Sequence, residues 1–162
     1  MAKTILFVCT GNSCCSVMAE WLMQQRLRVA SGDAPPPDYH VASAGLAAVD
    51  GAGPSEETVR VLRQKTGVDA SGHRARRLTD DMVRVASMVL VMERWHLEEI
   101  LRRVPEAVSK TYLLSTFGKS PSEGAASEEI IDPIGKPREI YEVCFAAIQA
   151  SVDRVTGSLS TT

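Results

Sequence analysis

The stretch Lys3-Thr4-Ile5-Leu6-Phe7-Val8-Cys9-Thr10-Gly11-Asn12-Ser13-Cys14-Cys15-Ser16 decides how this chain is read. Lys3 to Val8 is a short apolar, partly β-branched run that ends abruptly in polar residues, which predicts a buried strand. Ser16, with Ala19 and Glu20 after it, predicts the N-cap and first turn of a helix. In that helix Met18, Trp21, Leu22 and Val29 recur at near-helical spacing until Gly32, a stripe suited to core packing. Between strand and helix, Gly11 and Asn12 tolerate the positive φ angles that curl a backbone around an anion. The helix N-terminus adds unpaired N–H groups and a partial positive charge. Cys9 alone reads as a small buried hydrophobe. Set at the strand tip and facing such a nest, it reads as a thiol whose pKa is depressed and whose neighbours hold a dianion. The Gly-Lys-Ser/Thr ending of a nucleotide-binding loop is absent.

Working outward, Pro35-Pro36-Pro37 marks an exposed turn before a second strand, Tyr39 to Ser43. Ser43-Ala44-Gly45 opens a Gly/Ala-rich loop to Pro54, and Ser55 with Glu56 and Glu57 caps a helix to Lys65. Thr79-Asp80-Asp81 starts another helix, and Ser87 to Met92 is a buried strand. Arg94 to Val104 is helical, with Leu97, Ile100, Leu101 and Val104 on one face. Lys110 to Leu114 is the fourth strand, and the stretch from Ser115 to Ser127 is long for an idle connection. Arg138 to Gly157 closes the chain as a helix, apolar at Ile140, Tyr141, Cys144, Ile148 and Val152. This alternation predicts an α/β fold, a single domain with a four-stranded parallel sheet and helices on both faces in three layers. Ligands of such sheets sit beyond the C-terminal strand ends, where strand order reverses.

The chain of 162 residues is 44% apolar and 23% charged, and fits one domain spanning 1–162. Its 18 basic and 20 acidic residues leave a net charge of -2, which speaks against a dedicated nucleic-acid or anionic-membrane binder. No apolar run approaches the roughly 20 residues that span a bilayer. The opening segment turns polar at Thr10-Gly11-Asn12 too early for a signal peptide, so a cytoplasmic location is expected. Cys9, Cys14 and Cys15 crowd together and Cys144 stands apart, unlike the spread cysteines of a secreted scaffold. No CxxC pair exists and His40, His73 and His96 show no ligand spacing, so neither a metal nor another cofactor is expected.

The loop resembles the low-molecular-weight protein tyrosine phosphatases of bacterial type, including protein-arginine-phosphatase-like members. Their signature is a strand, V-C-x-G-N-x-C-R-S, a helix and a late Asp-Pro. Val8-Cys9-Thr10-Gly11-Asn12-Ser13-Cys14 and Ser16 match it, as do Met18-Ala19-Glu20, Ser43-Ala44-Gly45, Leu78-Thr79, the strand Met88 to Met92 and Asp132-Pro133. The resemblance runs nearly end to end and implies a phosphotyrosine phosphatase I-like fold. It implies that Cys9 attacks phosphorus to form a phosphocysteine, and that Asp132 serves as acid and then base. It implies that Ser16 hydrogen-bonds the Cys9 sulfur, and that Asn12 holds a left-handed turn with Ser43 as buried partner. Thr10, Gly11, Asn12, Ser13, Cys14 and the residue at Cys15 would bind phosphate, with Cys14 able to pair reversibly with Cys9 on oxidation.

One residue departs from the pattern: the family arginine is Cys15 here. A planar cationic fork is exchanged for one weak donor without charge. Arg74, Arg76 or Arg77 would have to swing in to replace it. Eukaryotic members set aromatics around the substrate ring, whereas this chain has Leu46-Ala47-Ala48 and Ile134-Gly135 there, with Thr10 and Ser13 as in bacterial members. Phosphotyrosine and phosphoarginine both stay open, on a phosphorylated protein or a small phosphoester, with inorganic phosphate or sulfate able to occupy the loop. Three activities follow from these residues: a phosphatase of strongly reduced activity, a non-catalytic phosphoryl-binding pseudophosphatase, or a thiol redox sensor. The arsenate-reducing variant of the last is weakened, because no cysteine lies between Cys15 and Cys144.

Overall fold

The computed structural model describes residues 3–32, 38–119 and 129–159. Strand β1 (Lys3–Cys9) is buried from Ile5 onward, with no polar face, because it is covered on both sides. Its alternation still shows: Ile5, Phe7 and Cys9 enter one apolar cluster, Leu6 and Val8 the other. Strands β2 (Tyr39–Gly45), β3 (Met88–Val91) and β4 (Thr111–Leu113) complete a parallel sheet ordered β2-β1-β3-β4. Helices α1 (Cys15–Ser31), α2 (Glu56–Thr66) and α5 (Arg138–Leu159) cover one face, and α3 (Asp80–Val85) and α4 (Arg94–Arg103) the other. The expected three-layer α/β architecture is therefore what the chain adopts. The chain leaves β1 in one direction to β2 and returns past it to β3, so the crevice falls at the C-terminal end of β1.

Local signals account for most boundaries. Ser55 accepts from the Thr58 amide at 3.2 Å and Thr79 from the Met82 amide at 3.1 Å, capping α2 and α3. Three expectations are corrected. Helix α1 starts at Cys15 behind Cys14 rather than behind Ser16, whose hydroxyl is instead turned towards Cys9. Val29 is 72% and Ile140 41% exposed, because each sits off the packed stripe of its helix. Ser43-Ala44-Gly45 is not loop but the buried end of β2, paired with Phe7-Val8-Cys9. The Pro35-Pro36-Pro37 turn, and the Ser115 to Ser127 stretch beyond Lys119, lie outside the described residues.

Gly45 is where the sheet meets the functional loop. A Cβ there would stand 2.6 Å from the Thr10 carbonyl oxygen and 2.8 Å from the Asn12 amide nitrogen, both backbone atoms that cannot swing aside. Gly45→Ala is expected to cost about 3 kcal/mol by overpacking and to lower Tm by roughly 5–10 °C. Thermal denaturation followed by circular dichroism checks this. A shift below about 2 °C would show that the loop yields freely.

Candidate active site

The sheet delivers Cys9 to the floor of a recess of about 230 Å³ lined by Thr10, Gly11, Ser13, Cys14 and Cys15 of the loop. Met92, Glu93 and His96 from the β3–α4 turn, with Ile130 and Asp132 from the segment before α5, form the other wall. The loop is hung from its surroundings by its carbonyls. Leu46, Ala47 and Ser55 amides donate to the carbonyls of Cys9, Thr10 and Ser13 at 3.0, 2.8 and 3.1 Å. With the carbonyls so engaged, the amides of Gly11, Ser13, Cys14 and Cys15 find no protein acceptor among the described residues. The Asn12 amide donates to the Cys9 sulfur at 3.2 Å. Amides free of the protein at a helix start constitute an anion nest.

Behind the loop a buried polar chain holds Asn12 and reaches the Cys9 sulfur. Asn12, wholly buried, is the one non-glycine with positive φ (53°) among the described residues. Gly11 does not share that geometry, contrary to expectation, because the turn needs a single left-handed residue. The Asn12 side-chain amide donates to Ser16 Oγ and Ser43 Oγ, both at 2.9 Å. Ser43 in turn donates to Glu20 at 2.6 Å. Ser16 Oγ lies 2.8 Å from Cys9 Sγ, so its hydroxyl hydrogen is at hand for the sulfur once Cys9 is a thiolate. On the other side, Asn12 Oδ1 accepts from the Arg76 amide at 2.9 Å and from His73 Nε2 at 3.3 Å. The His73 proton is placed on Nε2 because Trp21 Nε1 donates to Nδ1 at 3.1 Å. Ser43 and the left-handed Asn12 are thus where the sequence puts them. Glu20, His73 and Trp21 were missed as supporting residues, although Glu20 lies in the Met18-Ala19-Glu20 match.

His96 is the other missed contributor. It is buried, and burial pushes its pKa down to about 4, so the ring is neutral at neutral pH. Its Nδ1 accepts from the Glu93 amide at 3.0 Å, which leaves the proton on Nε2. That N–H points at Thr10 Oγ1, 3.0 Å away, and frees the Thr10 hydroxyl hydrogen for a ligand in the recess. The pair belongs to the capping box of α4, a signal legible as Glu93 followed by His96 only if histidine is admitted at the third position.

The electrostatics depart from expectation at Cys9. Burial pushes its pKa above the ordinary 9.0, although Ser16 and the backbone amides of Ser16 and Asn12 pull the other way and Asp132 adds to the rise. The nest was expected to depress it. Desolvation wins because none of the described residues lining the recess is Lys or Arg. Arg76 turns to the Ser43 carbonyl at 3.4 Å and Arg74 to those of Ser71 and His73 at 3.3 and 2.7 Å, so neither lines the recess, nor does Arg77. Asp132 is half-buried in the wall and accepts from the Ile134 amide at 3.0 Å, while Glu93 beside it is held above its ordinary pKa by burial. Cys14 is buried, its sulfur 3.4 Å from Ser55 Oγ, 3.8 Å from the Tyr141 hydroxyl and 3.7 Å from Ser13 Oγ.

Comparison with known proteins gives a consistent set. Residues 4–162 match the family model described as low molecular weight phosphotyrosine protein phosphatase. The protein-arginine-phosphatase of Geobacillus stearothermophilus is 35% identical over 161 residues, covering 99% of both chains. The probable low molecular weight protein-tyrosine-phosphatase AmsI of Erwinia amylovora is 33% identical, again over 99% of each chain. The tyrosine phosphatase Wzb of Escherichia coli K30, solved in complex with sulphate, superposes with a TM-score of 0.81 at 31% identity, covering 98% of this chain and 99% of that one. None of the helices among the described residues is long and apolar enough to cross a membrane.

Proposed function

The chain belongs to the low molecular weight phosphotyrosine protein phosphatase family, and from that membership and the loop geometry we propose a phosphoprotein phosphatase acting through Cys9, with turnover strongly reduced by Cys15. The observation that carries this reading is the convergence of the Cys9 sulfur, the free loop amides and Asp132 on one small recess. The Cys9 thiolate attacks phosphorus, the bond to the leaving oxygen or nitrogen breaks, and Asp132 supplies its proton. Water then attacks the phosphocysteine, Asp132 takes a proton, and the sulfur departs against the Ser16 hydrogen bond. The nest holds the phosphoryl oxygens. No cation shares that charge, and the resemblance expects an arginine at Cys15.

The acidic wall of Glu93 and Asp132 and the absence of Phe, Tyr or Trp among the described residues lining the recess favour a cationic leaving group over an aromatic one. That supports phosphoarginine ahead of phosphotyrosine, as does the relative named for arginine dephosphorylation. The four free cysteines fit a reducing, cytoplasmic setting. A second reading, a phosphoryl-binding module without turnover, is favoured by the raised Cys9 pKa.

Rapid quenching with an aryl phosphate and with a phosphoarginine peptide separates the two. A phosphorylated-protein burst on Cys9, absent in Cys9→Ser, is expected to be followed by slow release. With p-nitrophenyl phosphate, whose phenolate departs without the Asp132 proton, only the thiolate fraction of Cys9 limits attack, and the burst rate is expected to keep rising with pH beyond 9.0. Binding without any burst, at high pH as well as neutral, would support the module instead.

A further inference from the structure

Cys144 is used by neither the phosphoryl chemistry nor the polar chain behind the loop, yet it does not stand alone in space. Its thiol lies 3.3 Å from the Ile131 carbonyl oxygen, and the Cys15 thiol lies 4.0 Å from that same oxygen. Both sulfhydryls thus address one carbonyl oxygen, near enough to perturb each other's ionisation. Both are free and buried, one on the first residue of α1 and the other midway along the first half of α5. The remaining thiols are otherwise engaged: Cys9 with Ser16, Cys14 with Ser55 and Tyr141.

We propose that Cys15 and Cys144 form a reversible disulfide, driven by a peroxide and undone by a dithiol, that fastens the start of α1 to α5 beside the phosphoryl recess. The pair is polarised for this. The interaction between the two thiols draws the Cys144 pKa down and, with burial, pushes that of Cys15 well up. Cys144 is therefore the thiolate that attacks first. An S–O bond forms on Cys144 as the peroxide O–O bond breaks, and hydroxide leaves. The Cys15 sulfur then attacks Cys144, the S–S bond forms, the S–O bond breaks, and a second hydroxide leaves. The two thiol protons convert both hydroxides to water, so two thiols and one hydrogen peroxide give one disulfide and two waters.

The site gains a connection to redox state by this route. In the reduced form the thiols address the carbonyl immediately before Asp132. Oxidation removes both S–H donors from Ile131, so the hold on the segment carrying Asp132 changes with the state of the pair. This differs from a Cys9–Cys14 pairing, which would bury the nucleophile itself.

The test needs no turnover, so it stands or falls separately from the phosphatase reading. The full chain is treated with a small excess of hydrogen peroxide, blocked with N-ethylmaleimide and digested with trypsin without reduction. Cleavage after Lys3 and Arg26 puts Cys9, Cys14 and Cys15 in one peptide, and cleavage after Arg138 and Arg154 isolates Cys144 in another. The expected result is a cross-link between these peptides and a fall in titratable thiols from four to two, restored by dithiothreitol. The link is expected to vanish in Cys15→Ser and in Cys144→Ser and to persist in Cys14→Ser. A link that survives Cys15→Ser, a disulfide confined to the N-terminal peptide, or four thiols still free after peroxide would each overturn the proposal. The wild-type peptide map decides whether α1 and α5 are joined even if a serine variant folds poorly.

Discussion

Cys15→Arg is expected to raise kcat/KM toward an aryl phosphate by about 10³-fold or more, the worth of one cation aimed at transition-state charge. Among the described residues the recess has amides and thiols but no Lys or Arg to neutralise a dianion. A guanidinium would add a bidentate grip on phosphoryl oxygens. It would also favour the Cys9 thiolate, so the pH profile of the variant is expected to rise at lower pH than that of the parent. Cys15 is only 2% exposed and packs on Cys144, so Cys15→Arg/Cys144→Ala supplies room for the longer stem. Adding Cys9→Ser should erase the gain entirely. Steady-state kinetics check all four proteins, and a parent already as fast as the arginine variant would refute the role given to Cys15.

Asn12→Ala is expected to destabilise the protein by about 4 kcal/mol, the largest single loss among the polar residues of the site. Its side chain serves the buried Ser16, Ser43 and His73 and the part-buried Arg76 amide. Each buried partner left unsatisfied costs about 1–3 kcal/mol, partly offset where neighbours re-pair. An alanine at φ 53° adds roughly another 1 kcal/mol. Urea denaturation should show that Asn12→Gly recovers about that last part and no more, since glycine restores the backbone freedom but not the amide. If both variants lose less than about 1 kcal/mol, the network is dispensable.

The fold was largely legible because its signals are local. Strand runs such as Ile5 to Val8 carry no polar face, and Ser55 and Thr79 announce their helices. The nest was legible too, from Asn12 next to Gly11 at a strand-to-helix turn. What escaped were contacts between residues far apart in sequence. His73 reaches Asn12 across 61 positions and His96 reaches Thr10 across 86, and neither has a spacing to betray it. Cys144 looked solitary for the same reason, since its closeness to Cys15 exists only once α5 packs beside α1. The sign of the Cys9 shift was misjudged because a sequence displays donors but not desolvation, and here desolvation prevails.

The way Asp132 enters the recess has a consequence for its aim. Just upstream, the Ile130 amide donates to the Met92 carbonyl at 2.9 Å and the Glu129 carboxylate accepts from the Arg94 amide at 2.7 Å. Those two rivets re-index the backbone to the third strand immediately before the carboxylate arrives. The aim of Asp132 is thereby tied to the end of the third strand and the turn that follows it.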